Sequence, residues 1–314
     1  MKLDRVIIGD CRAVLPTLDA ESVQAVVTSP PYWGLRDYGH KGQIGLETTP
    51  TAYVEALVAA FREVRRVLRD DGTLWLNLGD SYAATTKGSG GVNSTTIGNG
   101  RGQATNAGSL HADRRWHIPD GLKPKDLCGI PWRVAFALQS DGWYLRADII
   151  WAKPNPMPES VKDRPTKAHE MVFLLSKSER YFYDLDAIRE PVSPNWSHGA
   201  GVRVAEHGAH VLTGGHRKQT RRVYDTPKGA NARSVWTIPT QPFRGSHFAT
   251  MPPKLAERCI LAGSRPGDLV LDPFIGSGTV GEAAERLGRR WLGIDLGYAE
   301  LSEKRTAQRG IRWA

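Results

Sequence analysis

The chain has 314 residues, 40% of them apolar, enough for one large domain or for a catalytic domain carrying a sizeable insertion. No run of roughly eighteen apolar residues suggests a membrane span, and the start, MKLDRVIIGD, lacks an apolar stretch followed by a small-residue cleavage site, so a cytoplasmic protein is expected. Forty-two Lys and Arg against 33 Asp and Glu leave +9, which favours a polyanionic partner, and Cys11, Cys128 and Cys259 form no CxxC pair, so no structural zinc or disulfide framework is indicated.

In chain order, residues 3–8 and 23–28 read as short strands, ended by Gly9–Asp10 and by Ser29–Pro30–Pro31. From 52 to 69 the period changes: Val54, Leu57, Val58, Phe61, Val64 and Leu68 recur three or four apart and predict a helix, with Asp71–Gly72 as its stop. TLWLNL at 73–78 is an apolar strand. Residues 84–110 hold seven glycines between Gly88 and Gly108 with few apolar side chains, a composition that buries too little to offset its ordering entropy, so a flexible insertion is expected. A helix follows at 131–140, then strands at 145–151 and 171–175. The stretch 186–235 loses periodicity and holds eight Lys or Arg against four acids. Beyond it come a helix near 253–262, a strand at 268–272, a helix at 279–287, a strand at 290–295 and a last helix near 297–308. Strands alternating with amphipathic helices argue for an α/β protein with a mostly parallel sheet covered on both faces.

Two constellations carry chemistry. In VLDPFIGSGT, a strand ends at Asp272, and Gly276 and Gly278 allow a tight turn before a helix opens at Thr279. Asp295 closes the next strand, where a carboxylate can accept hydrogen bonds from ribose hydroxyls. No Lys follows the glycines, so a nucleoside without a long phosphate chain fits better than a nucleotide triphosphate. The second constellation is TSPPYW at 28–33. Consecutive prolines fix the backbone, remove its donors and leave carbonyls as rigid acceptors, which suits an amino group. Tyr32 and Trp33 offer flat faces for a base.

Together these motifs resemble the beta class of DNA amino-methyltransferases, in which the catalytic motif precedes the cofactor motif. The catalytic tetrapeptide is Ser29–Pro30–Pro31–Tyr32. The cofactor motif spans Asp272, Phe274, Gly276, Gly278 and Thr279, with Asp295 as the ribose acid and Asp10 near the adenine end. HFATMPPKLAERCI at 247–260 resembles the segment lining the methionine pocket. The resemblance covers nearly the whole chain, and the insertion at 84–110 departs from a minimal member.

What the resemblance implies is a circularly permuted Rossmann-like methyltransferase sheet, mostly parallel with one antiparallel strand. Residues 1–185 and 236–314 would form the catalytic domain, and 186–235 a small target-recognition insertion. The cofactor would be S-adenosylmethionine, without a metal. The substrate would be duplex DNA, its target base flipped from the stack. Trp33, Lys153, Arg217, Lys218, Arg221 and Arg222 are the expected DNA contacts, with Lys153–Pro154–Asn155 resembling the segment behind the target base. A homodimer and a cognate restriction endonuclease are further expected partners, and no membrane. Serine at the head of the tetrapeptide resembles the subset that methylates N4 of cytosine, whereas aspartate is more usual among adenine-N6 enzymes. Adenine is the alternative base. No Pro–Cys pair is present for carbon-5 methylation. An RNA or protein methyltransferase, or a catalytically inactive DNA-binding protein, would be rival readings. His198, His207, His210 and His216 share one window but lack companion cysteines, so phosphate or surface roles fit them better than zinc.

Overall fold

The computed structural model describes residues 3–34, 42–83, 118, 121–191, 229–241, 251–296 and the strand residues 312–313. Expectations for the insertion at 84–110, the four histidines, the 217–222 cluster and the last helix fall outside these residues.

The main unit comprises Met1–Asp184 and Ser234–Ala314. Among the described residues its nine strands are β1 (Arg5–Ile8), β2 (Val23–Thr28), β3 (Leu68–Leu78), β4 (Tyr144–Ala152), β5 (His169–Ser176), β6 (Val235–Thr237), β7 (Leu269–Asp272), β8 (Arg290–Asp295) and β9 (Arg312–Trp313). They form one sheet in the order β6-β4-β5-β3-β2-β7-β8-β1-β9. All these neighbours pair in parallel except β5, which runs antiparallel to both β3 and β4. β2 and β7 are buried along their whole length, as strands covered on both faces must be.

Side-chain alternation along β3 shows how the faces are covered. Leu74, Leu76 and Leu78 join the core that includes Tyr53, Leu57, Phe61 and Val64 of α2 (Pro50–Val67) and Val134 and Leu138 of α3 (Ile130–Ser140). Thr73 and Trp75 point the other way, toward α4 (Pro253–Gly263). There a Cβ on Gly263 would stand 2.7 Å from both Thr73 Oγ1 and Trp75 Nε1. α1 (Cys11–Val14) is a single turn capped by the Asp10 carboxylate, and α5 (Thr279–Arg286) lies beside α4. Thr49 caps α2 by accepting from the Ala52 N–H, and Pro50 fits the first turn, where no donor is needed.

α2 ends earlier than Asp71–Gly72 suggested. Leu68 is extended at φ −73°, ψ 137°, and its buried side chain already belongs to β3, so helix passes to strand without a glycine stop. The arginines of α2 and its end are used within the chain: Arg62 on Asp141, Arg66 on Glu63 and two carbonyls, Arg69 on Asp268. The three cysteines are free and buried. No helix among the described residues is long and apolar enough to cross a membrane.

Leu185–Arg233 is a separate unit. Its described part is a short 3-10 turn at Asp186–Ile188 and an antiparallel bridge between Glu190 and Ala230. Arg189 ties it together by donating to Asp186, to the Gly229 carbonyl and to Asn231, and Arg233 pairs with Glu190. Val235, expected in this region, instead pairs with Ile150 in the main sheet.

Candidate active site

Parallel α/β sheets bind ligands beyond the carboxyl ends of their strands, where loops from several strands converge. Asp10 follows β1, Ser29–Tyr32 follows β2, Asn77–Asp80 spans the end of β3, Asp272–Thr279 follows β7 and Asp295 closes β8. The Gly9 N–H donates to the Asp295 carbonyl at 2.7 Å, which brings the ends of β1 and β8 together. Thr28, directly before the tetrapeptide, donates to Asp272 Oδ1 at 2.6 Å, and the Phe274 N–H donates to the same oxygen at 3.0 Å. The proline motif and the glycine turn are thus joined by a buried hydrogen bond.

On the glycine-turn side, Gly276 (φ +47°) and Gly278 (φ +80°) occupy the left-handed region, which explains glycine at both positions. Asp272 and Asp295 are both buried. Burial, with a smaller push from the Asp295 charge, raises Asp272 to about 7, against the Thr28 and Phe274 hydrogen bonds. Asp10 differs: its carboxylate accepts from the Arg12 backbone N–H at 2.9 Å and from the Arg12 guanidinium, which holds it below the usual carboxylate range. Buried carboxylates and a lysine-free glycine turn fit a nucleoside bearing positive charge, and they do not fit a phosphate chain.

The proline-motif side is a continuous hydrogen-bond network. Ser29 Oγ donates to Tyr32 Oη at 3.2 Å, and Tyr32 donates to Glu170 Oε2 at 2.6 Å. Asn77 Nδ2 donates to the same Glu170 oxygen at 3.1 Å and to the Met171 carbonyl at 3.2 Å. Lys153 Nζ pairs with the other oxygen, Oε1, and lies 4.4 Å from the Trp151 ring centroid. Burial, the Glu170 charge and the hydrogen bond to it hold the Tyr32 phenol well above its usual range, so it stays protonated at neutral pH. Lys167 stands beside this group with Nζ on the Asp80 carbonyl at 3.2 Å, its affinity for a proton lowered by burial. Asp80 in turn accepts from the Gly129 and Ile130 N–H groups and so fixes the start of α3.

Residues 23–304 match the family described as DNA methylase. Over 307 residues the chain is 48% identical to the Type II methyltransferase M.SmaI of Serratia marcescens, covering 97% of this chain and 91% of the relative. Over 299 residues it is 50% identical to the Type II methyltransferase M.XycI of Xanthomonas campestris pv. cyanopsidis, covering 95% and 85%. The chain belongs to the DNA methylase family. It is a site-specific DNA amino-methyltransferase that uses S-adenosylmethionine and acts on N4 of cytosine or N6 of adenine. Among solved structures, a Thermus thermophilus protein described as a DNA modification methylase, complexed with S-adenosyl-L-methionine, superposes with a TM-score of 0.57 at 25% identity, covering 97% of this chain and 93% of that one. The cytosine-N4-specific PvuII methyltransferase shares the fold, with a TM-score of 0.61 at 20% identity over 97% and 88%.

The methylase treats its expected site residues unequally. Ser29, Tyr32, Asp272, Phe274 and Lys153 are joined by the contacts above. Pro31 departs from the free acceptor array, because its carbonyl already accepts from Tyr53 Oη at 2.9 Å. Trp33 departs from a base-facing role: its ring is buried in the core and its indole N–H donates to the Glu47 carbonyl at 2.9 Å. Its large apolar surface is better used inside, where the one polar atom finds a carbonyl. Lys153, expected on DNA, is instead engaged with Glu170, its side chain 17% exposed. Arg217, Lys218, Arg221 and Arg222 lie outside the described residues. Nothing in the sequence marked Glu170 or Lys167 for the site. Among the described residues no group of three or more potential ligands could hold a metal.

Proposed function

We propose that this methylase transfers a methyl group to the exocyclic N4 of cytosine in duplex DNA, on a base flipped out of the helix. The observation that carries the reading is the 2.6 Å bond from Thr28 to Asp272, which sets the acceptor motif beside the glycine turn. An amino nitrogen bound at the one and a methyl donor bound at the other would be brought together, and alignment supplies much of the acceleration in such a transfer. The Asp272–Thr279 turn, Phe274 among it, would hold the nucleoside, with Asp295 on the ribose hydroxyls and Asp10 toward the adenine end. When bound, S-adenosylmethionine supplies an electrophilic methyl on a sulfonium. The chain needs no metal for this and no nucleophile of its own.

Tyr32 forms the platform for the flipped base, whose extrusion costs a few kcal/mol recovered by stacking and edge contacts. The Pro30 carbonyl and Ser29 Oγ accept hydrogens from its amino group. Serine in place of aspartate favours cytosine over adenine. The strand order β2-β7-β8-β1, with the chain's first strand beyond its last full ones, supports a circularly permuted Rossmann-like sheet, because it leaves β1 next to β8. Residues 186–235 would read the DNA sequence, with Arg217, Lys218, Arg221 and Arg222 on phosphates. A second copy docking through a sheet-flanking helix, and a cognate restriction endonuclease acting on the same site in the cytoplasm, complete the reading.

The test is the product. Labelled donor and mixed-sequence duplex DNA are incubated with the enzyme, the DNA is digested to nucleosides, and the labelled species is identified by chromatography and mass. The expected product is 4-methylcytosine. Label in 6-methyladenine would overturn the base assignment alone, and label in 5-methylcytosine would overturn the mechanism as well.

A further inference from the structure

A serine at the head of the tetrapeptide accepts a hydrogen bond, but a neutral hydroxyl cannot keep a proton. Attack by an amino nitrogen on a methyl group makes that nitrogen cationic, and the proton must leave. The structure holds a path for it. Ser29 Oγ donates to Tyr32 Oη at 3.2 Å, and Tyr32 Oη donates to Glu170 Oε2 at 2.6 Å. Both bonds point the same way, from the motif toward the carboxylate. Glu170 is only 14% exposed and is held further by Lys153 on Oε1 and by Asn77 Nδ2, which donates to Oε2 at 3.1 Å. Tyr32 is confined as well, since a Cβ on Gly79 would come within 2.5 Å of its ring. The geometry is that of a fixed wire rather than of a side chain free to turn away.

We infer that Glu170 is the terminal proton acceptor of the reaction, reached from the base through Ser29 and Tyr32, and so supplies the carboxylate that a serine-led motif lacks. This rests on the reading of Ser29 as the acceptor of the amino hydrogen. The nitrogen lone pair forms the N–C bond while the S–C bond breaks with its electron pair kept by sulfur, leaving a neutral thioether. One N–H proton passes to Ser29 Oγ as the serine hydroxyl proton passes to Tyr32 Oη and the phenol proton to Glu170. The products are a neutral methylamino group and a protonated Glu170, with Ser29 and Tyr32 restored to hydroxyls. As charge builds on nitrogen the relay strengthens the acceptor at Ser29, so it acts on the rate of methyl transfer and not only after it.

The test combines single-turnover methylation with separate measurements of donor and DNA affinity by calorimetry and of base flipping by 2-aminopurine fluorescence at the target position. Glu170→Gln should lower the single-turnover rate about a hundredfold, within the range of general-base effects, while both affinities and the flipping signal hold. Tyr32→Phe, which keeps the ring and leaves the Glu170–Lys153 pair intact, should lower the rate by a similar factor. The double variant should be no slower than the slower single one, since both break one path. In a Ser29→Asp background a carboxylate already stands at the base, and adding Glu170→Gln should then cost less than threefold. An unchanged rate in Glu170→Gln, multiplicative losses in the double variant, or a full hundredfold loss retained in the Ser29→Asp background would each overturn the relay. Should wild type flip the base and bind donor yet yield no methylated amino product, the Ser29 reading itself has failed.

Discussion

The two sides of this site hold carboxylates by opposite means. On the glycine-turn side, Asp272 is buried against a hydroxyl and a backbone N–H, with the second buried acid Asp295 near enough to raise its affinity for a proton. On the proline-motif side, Glu170 is neutralised within the protein by Lys153 and accepts from Tyr32 and Asn77 besides. A buried carboxylate with no cation beside it holds its proton more tightly, whereas a paired one is balanced before any ligand binds. The difference matches the two substrates. The donor carries a sulfonium, and the base arrives uncharged. On the reading proposed above, Asp272 gives up its proton when a cationic donor binds, whereas Glu170 is already balanced beside the place of a neutral base.

The largest expected effect follows from removing the platform proposed for the base, on the balanced side. Tyr32→Ala should lower turnover by at least about a hundredfold, since stacking alone is worth about 1–3 kcal/mol per base and the relay is lost with it. Donor affinity measured by calorimetry should not move; a parallel loss of donor binding would show that the two sides are not separable. On the glycine-turn side, Asp295→Ala should weaken donor binding about ten- to a hundredfold, the worth of hydrogen bonds to a charged acceptor, while the base-flipping signal stays intact. Unchanged affinity would remove Asp295 from the donor site.

The smallest effect sharpens the contrast through pH. Asp272 is raised from 3.8 to about 7 in the folded protein, so between those values the native state keeps a proton that the unfolded chain has lost. The donor-free enzyme should therefore lose stability as pH rises from about 4 to about 7, by at most a few kcal/mol, and level off above. Asp272→Asn should abolish that slope. Denaturant unfolding of both proteins across the window would check it, and equal slopes would mean that burial does not govern this carboxylate.

Much of this was legible because strand period, glycine turns and the proline pair are local chemistry. VQAVVT, the Asp272–Thr279 turn and Asp295 fall where their patterns put them, since a strand followed by a sharp turn is encoded by the residues that form it. The end of α2 is less local. Asp71–Gly72 is a sound helix stop in isolation, yet Leu68, buried and paired with Val23 of β2, starts the strand sooner. Trp33 takes its apparent role from its neighbour Tyr32, although only packing decides which of two adjacent aromatics is buried in the core.

The sequence by itself supplied the two local motifs of the site, the Ser29–Tyr32 tetrapeptide and the Asp272–Thr279 glycine turn with Asp295 on the next strand. Tertiary structure alone decided what stands behind the acceptor. Glu170 opens a strand instead of closing one, and residues at strand starts lie away from the ligand edge in a parallel sheet. β5 runs antiparallel, so its first residues meet the last residues of β3 and β4, with Met171 opposite Leu78 and Glu170 opposite Trp151. Strand direction is fixed by pairing across the sheet and not by the strand's own residues, and that reversal brings a carboxylate 138 positions away within 2.6 Å of Tyr32.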